Sequence, residues 1–225
     1  MLYDFHTHTF LSDGELSPSE LVRRAAVNGY TAIAIADHVG AGNLEAVLEQ
    51  VKRECEVVNR HWAILALPAV EITHVPAAVV AELAREAKSL GAALVVVHGE
   101  TIVEPVEPGT NLAALRCPEV DVLAHPGLLT REEAQAAVAN GIFVELSARK
   151  GHSLTNGRVW QVGSEVGVRF LVNSDGHAPE DLLTEDFAKR VALGAGLSQS
   201  EVSETLVENP KRLLRKMGIG LPRAR

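Results

Sequence analysis

The sequence predicts an α/β fold in which seven parallel strands close, or nearly close, into a barrel. Apolar stretches of strand length alternate with helical stretches along the 225 residues, and this alternation is typical of a parallel sheet. Seven strand–helix units follow one another without a break in composition, which favours a barrel over an open doubly wound sheet. No Gly-x-Gly-x-x-Gly fingerprint follows a strand, so the sequence does not support a dinucleotide site.

Each element is predicted from its apolar pattern and its boundary residues. The strands are expected at residues 2–7, 31–36, 63–70, 92–97, 120–124, 142–146 and 168–172. The helices are expected at about residues 18–28, 44–60, 77–90, 111–116, 131–140, 156–166, 184–195 and 199–216. Three helices are expected to begin at a capping side chain, namely Ser17, Asn43 and Ser198. Three are expected to end at a glycine, namely Gly29, Gly91 and Gly141. We expect one domain over residues 1–225.

The charge and composition of the chain argue against several classes of partner. The formal net charge is −8 and the basic residues do not cluster, which argues against broad binding to nucleic acid or to anionic membranes. The longest apolar runs, of about 7 residues, are too short to span a bilayer. Cys55 and Cys117 are far apart and lack Cys-x-x-Cys spacing, so a reducing cytoplasm fits the sequence better than a disulfide does. The chemistry-bearing pattern begins at residue 4, which leaves no room for a cleaved signal peptide.

The first strand contains two histidines that can bind a metal ion together. In an extended strand, side chains at i and i+2 point to the same face, so Asp4, His6 and His8 are expected to lie on one side. Two imidazoles that converge from one strand are a ready pair of metal ligands. Asp4 could accept the far N–H of a ligating histidine and so fix its tautomer. The alternative is a polar, half-exposed edge strand.

The later predicted strands also end at or near titratable side chains. These are Asp37, His38, Glu71, His98, His125, Glu145, Asp175 and His177. Six of the nine histidines therefore lie at strand exits, whereas a random scatter would place most of them on helix surfaces and loops. Because the carboxyl ends of barrel strands form the active-site face, we expect these groups to meet in one site. The alternative is that each residue is an isolated polar group with its own hydrogen-bond partners, and this explanation would have to apply to every one of them independently.

The order and spacing of these motifs resemble those of the polymerase and histidinol phosphatase (PHP) family. The motifs are Asp-x-His-x-His-Thr from Asp4 to Thr9, Ser-Asp-Gly from Ser12 to Gly14, Asp37-His38, Glu71 at the end of strand three, His98-Gly99, His125-Pro126, and Ser-Asp-x-His from Ser174 to His177. The resemblance covers essentially the whole chain. It implies a distorted (β/α)7 TIM-like barrel that holds two to three divalent metal ions.

The resemblance also implies which residues hold each ion. The first ion would be held by His6, His8, Glu71 and Asp175. The second would share Glu71 and add His98 and His125, and the third would be held by Asp13, His38 and His177. Many relatives have a histidine where this chain has Asp13. Nitrogen and oxygen ligands without a thiolate suit Zn²⁺, Mn²⁺ or Fe²⁺. Asp4 and Asp37 are expected either to support these ligands or to make loop hydrogen bonds only.

The charge of such a site agrees with phosphate chemistry. With neutral histidines, three divalent ions against the carboxylates of Asp13, Glu71 and Asp175 leave a formal charge near +3 (roughly, by charge counting). A hydroxide and a phosphomonoester dianion would neutralise it. The implied reaction is attack on phosphorus by a metal-bridging hydroxide, with a catalytic group formed by Asp13, His38, Glu71, Asp175 and His177.

We therefore predict a phosphoric ester hydrolase that acts on a small phosphomonoester, such as histidinol phosphate, a nucleotide or a sugar phosphate. One alternative is a phosphodiesterase or 3′–5′ exonuclease, because related domains accompany DNA polymerases. A second is a non-catalytic metal-binding accessory module. A third is C–N or ester hydrolysis of the amidohydrolase kind, although the usual carboxylated lysine is not suggested where Glu71 occupies the bridging position.

A small basic cluster after the sixth strand is the candidate substrate contact. Arg149 is suited to grip two phosphate oxygens, and Lys150 and His152 lie beside it. His74 follows Glu71 closely and could face the same opening. The alternative for this cluster is a solvated loop with ordinary surface charges. Glu145 is expected to support the site rather than to bind metal.

Overall fold

The fold is a nearly closed parallel barrel, as seen in a computed structural model that describes residues 1–220. The strands are β1 (Leu2–Thr7), β2 (Tyr30–Ile35), β3 (His38–Val39), β4 (Leu65–Ile72), β5 (Leu94–His98), β6 (Val122–Ala124), β7 (Phe143–Ser147) and β8 (Phe170–Asn173). Seven of them pair in parallel in the order β1-β2-β4-β5-β6-β7-β8. A single bridge between Thr7 and Gly176 joins the two edges beyond the end of β8. The predicted distorted (β/α)7 barrel is confirmed.

One strand was not expected. The two-residue strand β3 pairs with β4 so that His38 lies opposite Glu71. Two residues are too few to show a period in the sequence. The consequence is local, because this pairing holds two candidate metal ligands side by side.

Helices alternate with the strands and cover the outside of the barrel. They are α1 (Pro18–Val27), α2 (Leu44–His61), α3 (Val80–Ser89), α4 (Thr110–Leu115), α5 (Arg131–Asn140), α6 (Asn156–Ser164), α7 (Glu185–Gly194), α8 (Gln199–Ser203) and α9 (Asn209–Lys216). A π-helical turn over Glu204–Glu208 joins α8 to α9, so the single helix predicted at residues 199–216 is interrupted there. None of the helices within residues 1–220 is long and apolar enough to cross a membrane.

Two of the three predicted capping side chains act as caps. The Ser17 hydroxyl accepts the backbone N–H of Glu20, and Ser198 and Glu201 form a reciprocal capping box. The prediction for Asn43 was wrong in its chemistry. Its side chain accepts the N–H of Gly40 and donates to the carbonyl of His38, so it stabilises the loop before α2 instead of the helix.

The core has two parts. Between the barrel and its helices lies a large layer of Leu, Ile, Val and Ala side chains. Inside the barrel, small and aromatic residues such as Ala34, Phe5 and Phe143 pack with Leu213 and Leu214 from α9. Asn209 and Lys216 of α9 bond to residues at the amino ends of β8 and β6. Helix α9 therefore covers the amino end of the barrel, and the carboxyl end is left to form a cleft.

Candidate metal centre

The carboxyl ends of the strands surround a cleft of about 380 Å³. Its lining is dominated by imidazoles and carboxylates that come from different strand exits, namely Asp13, His38, His74, His98, Glu104, His125, His152, Asp175 and His177. Among the candidates expected at strand exits, His6, His8 and Glu71 lie deeper and are fully buried. The barrel thus brings the predicted ligands from all parts of the sequence to one place.

Two histidines and two carboxylates meet at the floor of the cleft. His6 Nε2 lies 3.2 Å from Glu71 Oε1 and 3.7 Å from Asp175 Oδ1. His8 Nε2 lies 3.2 Å from Asp175 Oδ1 and 3.7 Å from Glu71 Oε2. These four residues are the set that the family resemblance implies for the first ion.

Glu145 fixes the orientation of His6. Its Oε2 atom lies 2.8 Å from His6 Nδ1 and also accepts the side-chain N–H of Asn173. When Nδ1 donates its proton to Glu145, Nε2 carries a lone pair that points toward Glu71 and Asp175. Glu145 therefore supports a ligand, as the sequence predicted.

The buried polar atoms at this floor are suited to a cation. Six atoms have no hydrogen-bond partner among the described residues, namely His6 Nε2, His8 Nδ1, His8 Nε2, Glu71 Oε1, His125 Nδ1 and Glu145 Oε1. Buried polar groups are rarely left without a partner, and here imidazole nitrogens and carboxylate oxygens face one another. Burial lowers the pKa of His6, but Glu71, Glu145 and Asp175 outweigh it and raise that pKa. The floor thus favours positive charge where Nε2 points, and the residues fit divalent ions.

The set predicted for the second ion is only partly assembled. His125 Nε2 lies 3.6 Å from Glu71 Oε1 and 3.7 Å from Asp175 Oδ2. His98 Nε2 points instead to Glu104 Oε2, at 3.0 Å. The imidazole that joins His125 and Asp175 is that of His152, whose Nε2 lies 3.7 Å from Asp175 Oδ2.

The set predicted for the third ion is brought together at a more exposed position. Asp13 Oδ1 lies 3.2 Å from His177 Nε2 and 3.4 Å from His38 Nε2. The side chain of Asp13 is 56% exposed. Burial acts to raise the pKa of Asp13, but hydrogen bonds from His177 and His38 outweigh it and hold that pKa well below its usual range. Asp13 is therefore ionised and available to a cation.

Three of the candidate residues have backbone conformations that residues other than glycine rarely adopt. His74, His125 and Asp175 have φ angles of 50°, 22° and 51°, within the left-handed region that normally favours glycine. Such conformations cost on the order of 1–3 kcal/mol each and cluster at functional sites. All three side chains line the cleft, so backbone strain and site geometry coincide.

The predicted substrate contacts divide into cleft residues and a surface residue. Arg149 lines the cleft, donates from Nη1 to the carbonyl of Asp175 at 3.0 Å and contacts His177 Nδ1. His74 is partly exposed at the rim, and His152 is buried with Nδ1 2.7 Å from Thr101 Oγ1. Lys150 is exposed and does not line the cleft, so its predicted role receives no geometric support.

Asp4 and Asp37 hold backbone and loop groups rather than imidazoles. Asp4 Oδ1 accepts the backbone N–H groups of His6 and Ser174. Asp37 accepts the N–H and hydroxyl of Thr9 and the hydroxyl of Ser12. The expectation that Asp4 fixes a histidine tautomer was therefore wrong, and Glu145 does this for His6.

Glu104 was missed by the sequence reasoning. It lies in the loop after β5 and approaches His74, His98 and His152, with distances of 3.1, 3.0 and 3.4 Å to their Nε2 atoms. Hydrogen bonding from His98, opposed by burial, lowers the pKa of Glu104 to about 2. The only signal was a carboxylate within a few residues of a strand exit, and such residues are common in exposed loops.

Comparison with known proteins identifies the family of this chain. The PHP domain model matches residues 4–97. A protein of Methanocaldococcus jannaschii, named only as uncharacterized, is 48% identical over 218 residues, which cover 96% of this chain and 100% of the relative. The chain belongs to the PHP domain family. The matched segment includes the first five of its histidine and carboxylate positions at the strand exits, from His6 to Glu71.

More distant relatives and a solved structure extend the comparison. A probable phosphatase of Thermoanaerobacter sp. is 26% identical over 244 residues, covering 96% of this chain and 95% of that protein. The 5′-3′ exoribonuclease Rnm of Salmonella typhimurium is 36% identical over 75 residues, covering 33% of this chain and 24% of that protein. The crystal structure of an adenosine deaminase from Xanthomonas campestris superposes with a TM-score of 0.62 at 13% identity, covering 99% of this chain and 70% of that one. This last likeness concerns the fold alone.

Proposed function

We propose that the protein is a metal-dependent phosphoesterase that hydrolyses a small phosphomonoester. The observation that carries the proposal is the floor of the cleft, where the Nε2 atoms of His6, His8 and His125 converge on the carboxylates of Glu71 and Asp175. Such an arrangement suits two to three ions of Zn²⁺, Mn²⁺ or Fe²⁺. Ions bound there would activate a water molecule and neutralise the charge that develops on the phosphoryl oxygens.

The chain's own residues would position these ions and the substrate. Glu145 accepts the Nδ1 proton of His6 and so keeps Nε2 free for ligation. Arg149 lies at the edge of the cleft beside Asp175 and His177, where its guanidinium can donate two parallel N–H groups to phosphoryl oxygens. Asp13, His38 and His177 line the same opening and would hold the most exposed ion.

The size and charge of the cleft support a small substrate. A volume of about 380 Å³ is at the lower end of the range for small-molecule sites. Glu104 and Glu145 add two carboxylates close to the site, so the formal charge of a fully loaded centre is lower by two than the sequence suggested. The remaining charge, near +1 (roughly, by charge counting), does not favour a long polyanion. The 26% identical relative that is named a probable phosphatase also supports this class.

A second candidate is a phosphodiesterase or nuclease. It is favoured by the partial match to a protein named 5′-3′ exoribonuclease, whose polarity is opposite to that of the 3′–5′ exonuclease considered as an alternative from the sequence. The matched segment is only a third of this chain. Binding to single-stranded nucleic acid would have to be steeply dependent on salt.

The substrate class can be tested with purified protein loaded with Mn²⁺, Zn²⁺ or Fe²⁺. We expect release of inorganic phosphate from a panel that includes histidinol phosphate, mononucleotides and sugar phosphates, and little cleavage of bis-p-nitrophenyl phosphate or single-stranded RNA. Asp175→Asn should lower the rate at least tenfold, whereas Asp186→Asn, on the exposed face of α7, should not. Faster cleavage of diesters or RNA would favour the nuclease. Bound metal without turnover on any ester would favour the alternative of a non-catalytic metal-binding accessory module.

The cytoplasm is the location we propose. Cys55 and Cys117 are both free thiols in buried positions, as expected in a reducing compartment.

A further inference from the structure

A second, smaller groove lies beside the metal centre, between the loops that follow β5 and β6. Its volume is about 280 Å³, and we call it the side groove. Apolar and polar side chains line it together, namely Glu100, Thr101, Ile102, Val106, Asn111, Pro126, Leu128, Thr130 and Glu133. None of these residues belongs to the three sets of metal ligands, so the side groove is a separate feature of the same end of the barrel.

The polar residues on the β5 side of the groove are bonded to one another. Glu100 Oε1 accepts the backbone N–H groups of Gly109 and Asn111. The Asn111 side chain accepts the N–H of Glu100 and donates to the carbonyl of Pro126. These groups therefore hold the loop together and are already engaged when a ligand arrives.

The remaining polar residues of the groove are also engaged within the protein. Glu133 accepts the N–H and the hydroxyl of Thr130, and the hydroxyl of Thr101 is bonded to His152. A sugar or a nucleobase needs free donors and acceptors to be held in a fixed orientation. A ligand in the side groove would instead contact mainly the side chains of Ile102, Val106, Pro126 and Leu128.

The exposure of the lining residues is the reverse of the usual pattern. Thr101, Asn111 and Glu133 are buried, whereas Ile102 and Leu128 are 51% and 65% exposed. Single exposed apolar residues are ordinary, but these two lie on neighbouring exit loops and line one groove. Covering them with an apolar group would remove apolar surface from water, which is favourable.

The side groove is preformed, because its two loops touch through backbone atoms. A Cβ on Gly127 would lie 1.9 Å from the carbonyl oxygen of Glu100, and Gly127 has a φ of 67°, so both the space and the conformation require glycine. A site that is fixed before binding avoids the cost of ordering its loops.

One imidazole ring separates the side groove from the floor of the cleft. Thr101 Oγ1 lies 2.7 Å from His152 Nδ1, and the other nitrogen of that ring, Nε2, lies 3.7 Å from Asp175 Oδ2. Beside this contact, a methyl group of Val103 packs 3.4 Å from the position of a Cβ on Gly151. A molecule held at the floor by its phosphate can therefore extend over a low lip into the groove.

We propose that the side groove binds the apolar part of the substrate's alcohol. The substrate is then a phosphomonoester whose alcohol has an extended apolar group, and the groove selects it by hydrophobic contact. This inference rests on the proposed function, because it places the phosphate at the floor of the cleft. It adds the class of alcohol, which the metal ligands alone do not specify.

The affinity of n-alkylphosphonates for the Mn²⁺-loaded full-length protein tests this inference. Their P–C bond is not hydrolysed by a phosphoesterase, so the measurement does not depend on turnover. From ethyl to octyl, we expect the dissociation constant to fall by about two- to fourfold for each methylene that enters the groove, the larger value for complete burial. Leu128→Ser and Ile102→Ser should flatten this dependence. Val57→Ser, at an exposed apolar position on α2, should leave it unchanged.

Three results would overturn the inference. The first is an affinity that is absent or independent of chain length, and the second is a dependence as steep in Leu128→Ser and Ile102→Ser as in the unmodified protein. The third is a changed sedimentation coefficient in Leu128→Ser without a changed chain-length dependence, which would identify the groove as an interface between copies of the chain. Phosphate release is measured separately, so a failure of the proposed phosphoesterase activity is distinguishable from a failure of the groove.

Discussion

Glu145 is a fully buried carboxylate on β7. It bonds to His6 Nδ1 and to the side-chain amide of Asn173, and its second oxygen has no partner among the described residues. A carboxylate behind a ligating histidine orients the ring and raises its basicity. We therefore assign Glu145 as a positioning residue for His6.

Replacing Glu145 with Gln should weaken the first metal position without unfolding the barrel. The amide oxygen can still accept the Nδ1 proton, but the negative charge is lost. Substitutions of this kind typically cost about 10–100-fold in metal affinity, and we expect a loss in that range by competition with a chromogenic chelator. Glu119→Gln, outside the cleft, is the control. An affinity within twofold of the unmodified protein would show that Glu145 does not act through His6.

Asp4 is fully buried on β1, two residues before His6. It accepts the backbone N–H groups of His6 and Ser174, and Tyr30 lies 3.5 Å away. Burial raises the pKa of Asp4 from its ordinary 3.8 to about 7, against the opposing effect of these hydrogen bonds. The carboxyl group therefore binds its proton more tightly in the folded chain than in the unfolded chain.

This difference predicts a pH-dependent stability in the metal-free protein. Because the folded-state pKa lies above the unfolded value, the stabilisation from the Asp4 proton is complete below about pH 4 and is lost as pH rises to about 7. Asp4→Asn cannot titrate, and its amide oxygen can accept the same N–H groups. Between about pH 4 and pH 8, we expect the free energy of unfolding of the variant to rise, relative to that of the unmodified protein, by on the order of 4 kcal/mol. If urea unfolding gave the two proteins parallel profiles of unfolding free energy against pH, this prediction would be contradicted.

At the scale of single residues, the sequence predicted the ligands that lie on strands or directly after them. His6, His8 and Glu71 are placed by strand period and barrel topology alone, and the cleft brings them together. Glu104 and His152 could not be placed in the same way, because their loops follow paths set by packing between neighbouring exits. For Asp4 the alternative of backbone hydrogen bonding applies, since its Oδ1 accepts the N–H groups of His6 on the same strand and of Ser174 just after β8.

Two exit loops are packed against each other without room for an additional carbon atom. A Cβ on Gly99 would lie 2.2 Å from the carbonyl oxygen of Ala124 and 2.8 Å from Pro126 Cα. These are backbone and ring atoms that cannot rotate away. Because Gly99 follows His98 and Pro126 follows His125, this close approach sets how near the two imidazoles lie.

Gly99→Ala should therefore disturb both stability and metal binding. Overpacking of this kind costs about 1–3 kcal/mol, and we expect a loss in that range in urea unfolding, together with weaker zinc binding. Gly42→Ala is the matched control, because a Cβ there meets nothing within 4 Å. Equal stability of the two variants would show that the loops can separate without cost.

At the scale of elements, the alternating pattern predicted the barrel strands and the main helices to within two residues at each end, except that α3 begins three residues later than expected, after a 3-10 turn. The exceptions have local causes. Strand β3 is too short to show a period, and the π-helical turn between α8 and α9 lies inside a continuous helical pattern. The bridge between Thr7 and Gly176 closes the barrel. No local pattern in the sequence indicates this pairing, because it forms only when all the strands between the two residues are in place.

In the whole molecule, the two ends of the barrel differ: the amino end is closed by a helix, and the carboxyl end contains polar groups without partners among the described residues. Helix α9 covers the amino end with apolar and hydrogen-bonded contacts. The carboxyl end contains carboxylate oxygens and imidazole nitrogens that lack hydrogen-bond partners among the described residues. Ions that bind only the folded chain would stabilise it by mass action.

Removing the ions should therefore lower the melting temperature. Ions at about 100 times their dissociation constant contribute about 2.7 kcal/mol for one site, which corresponds to roughly 5–10 °C for a chain of this size. We expect such a decrease after chelation, measured by calorimetry, and a much smaller one in Asp175→Asn. Identical melting curves with and without chelator would indicate that the cleft binds no ion.

The central claim is that distant strand exits gather into one metal centre that cleaves phosphate esters. Its most direct test is an add-back titration, in which Mn²⁺ or Zn²⁺ is returned to the chelated protein while bound ions and phosphate release are measured together. We predict no release from the chelated protein and a rate that rises as the floor sites fill, with no recovery in Asp175→Asn. Phosphate release that is independent of bound metal, or full loading at the floor without release from any ester, would contradict the claim.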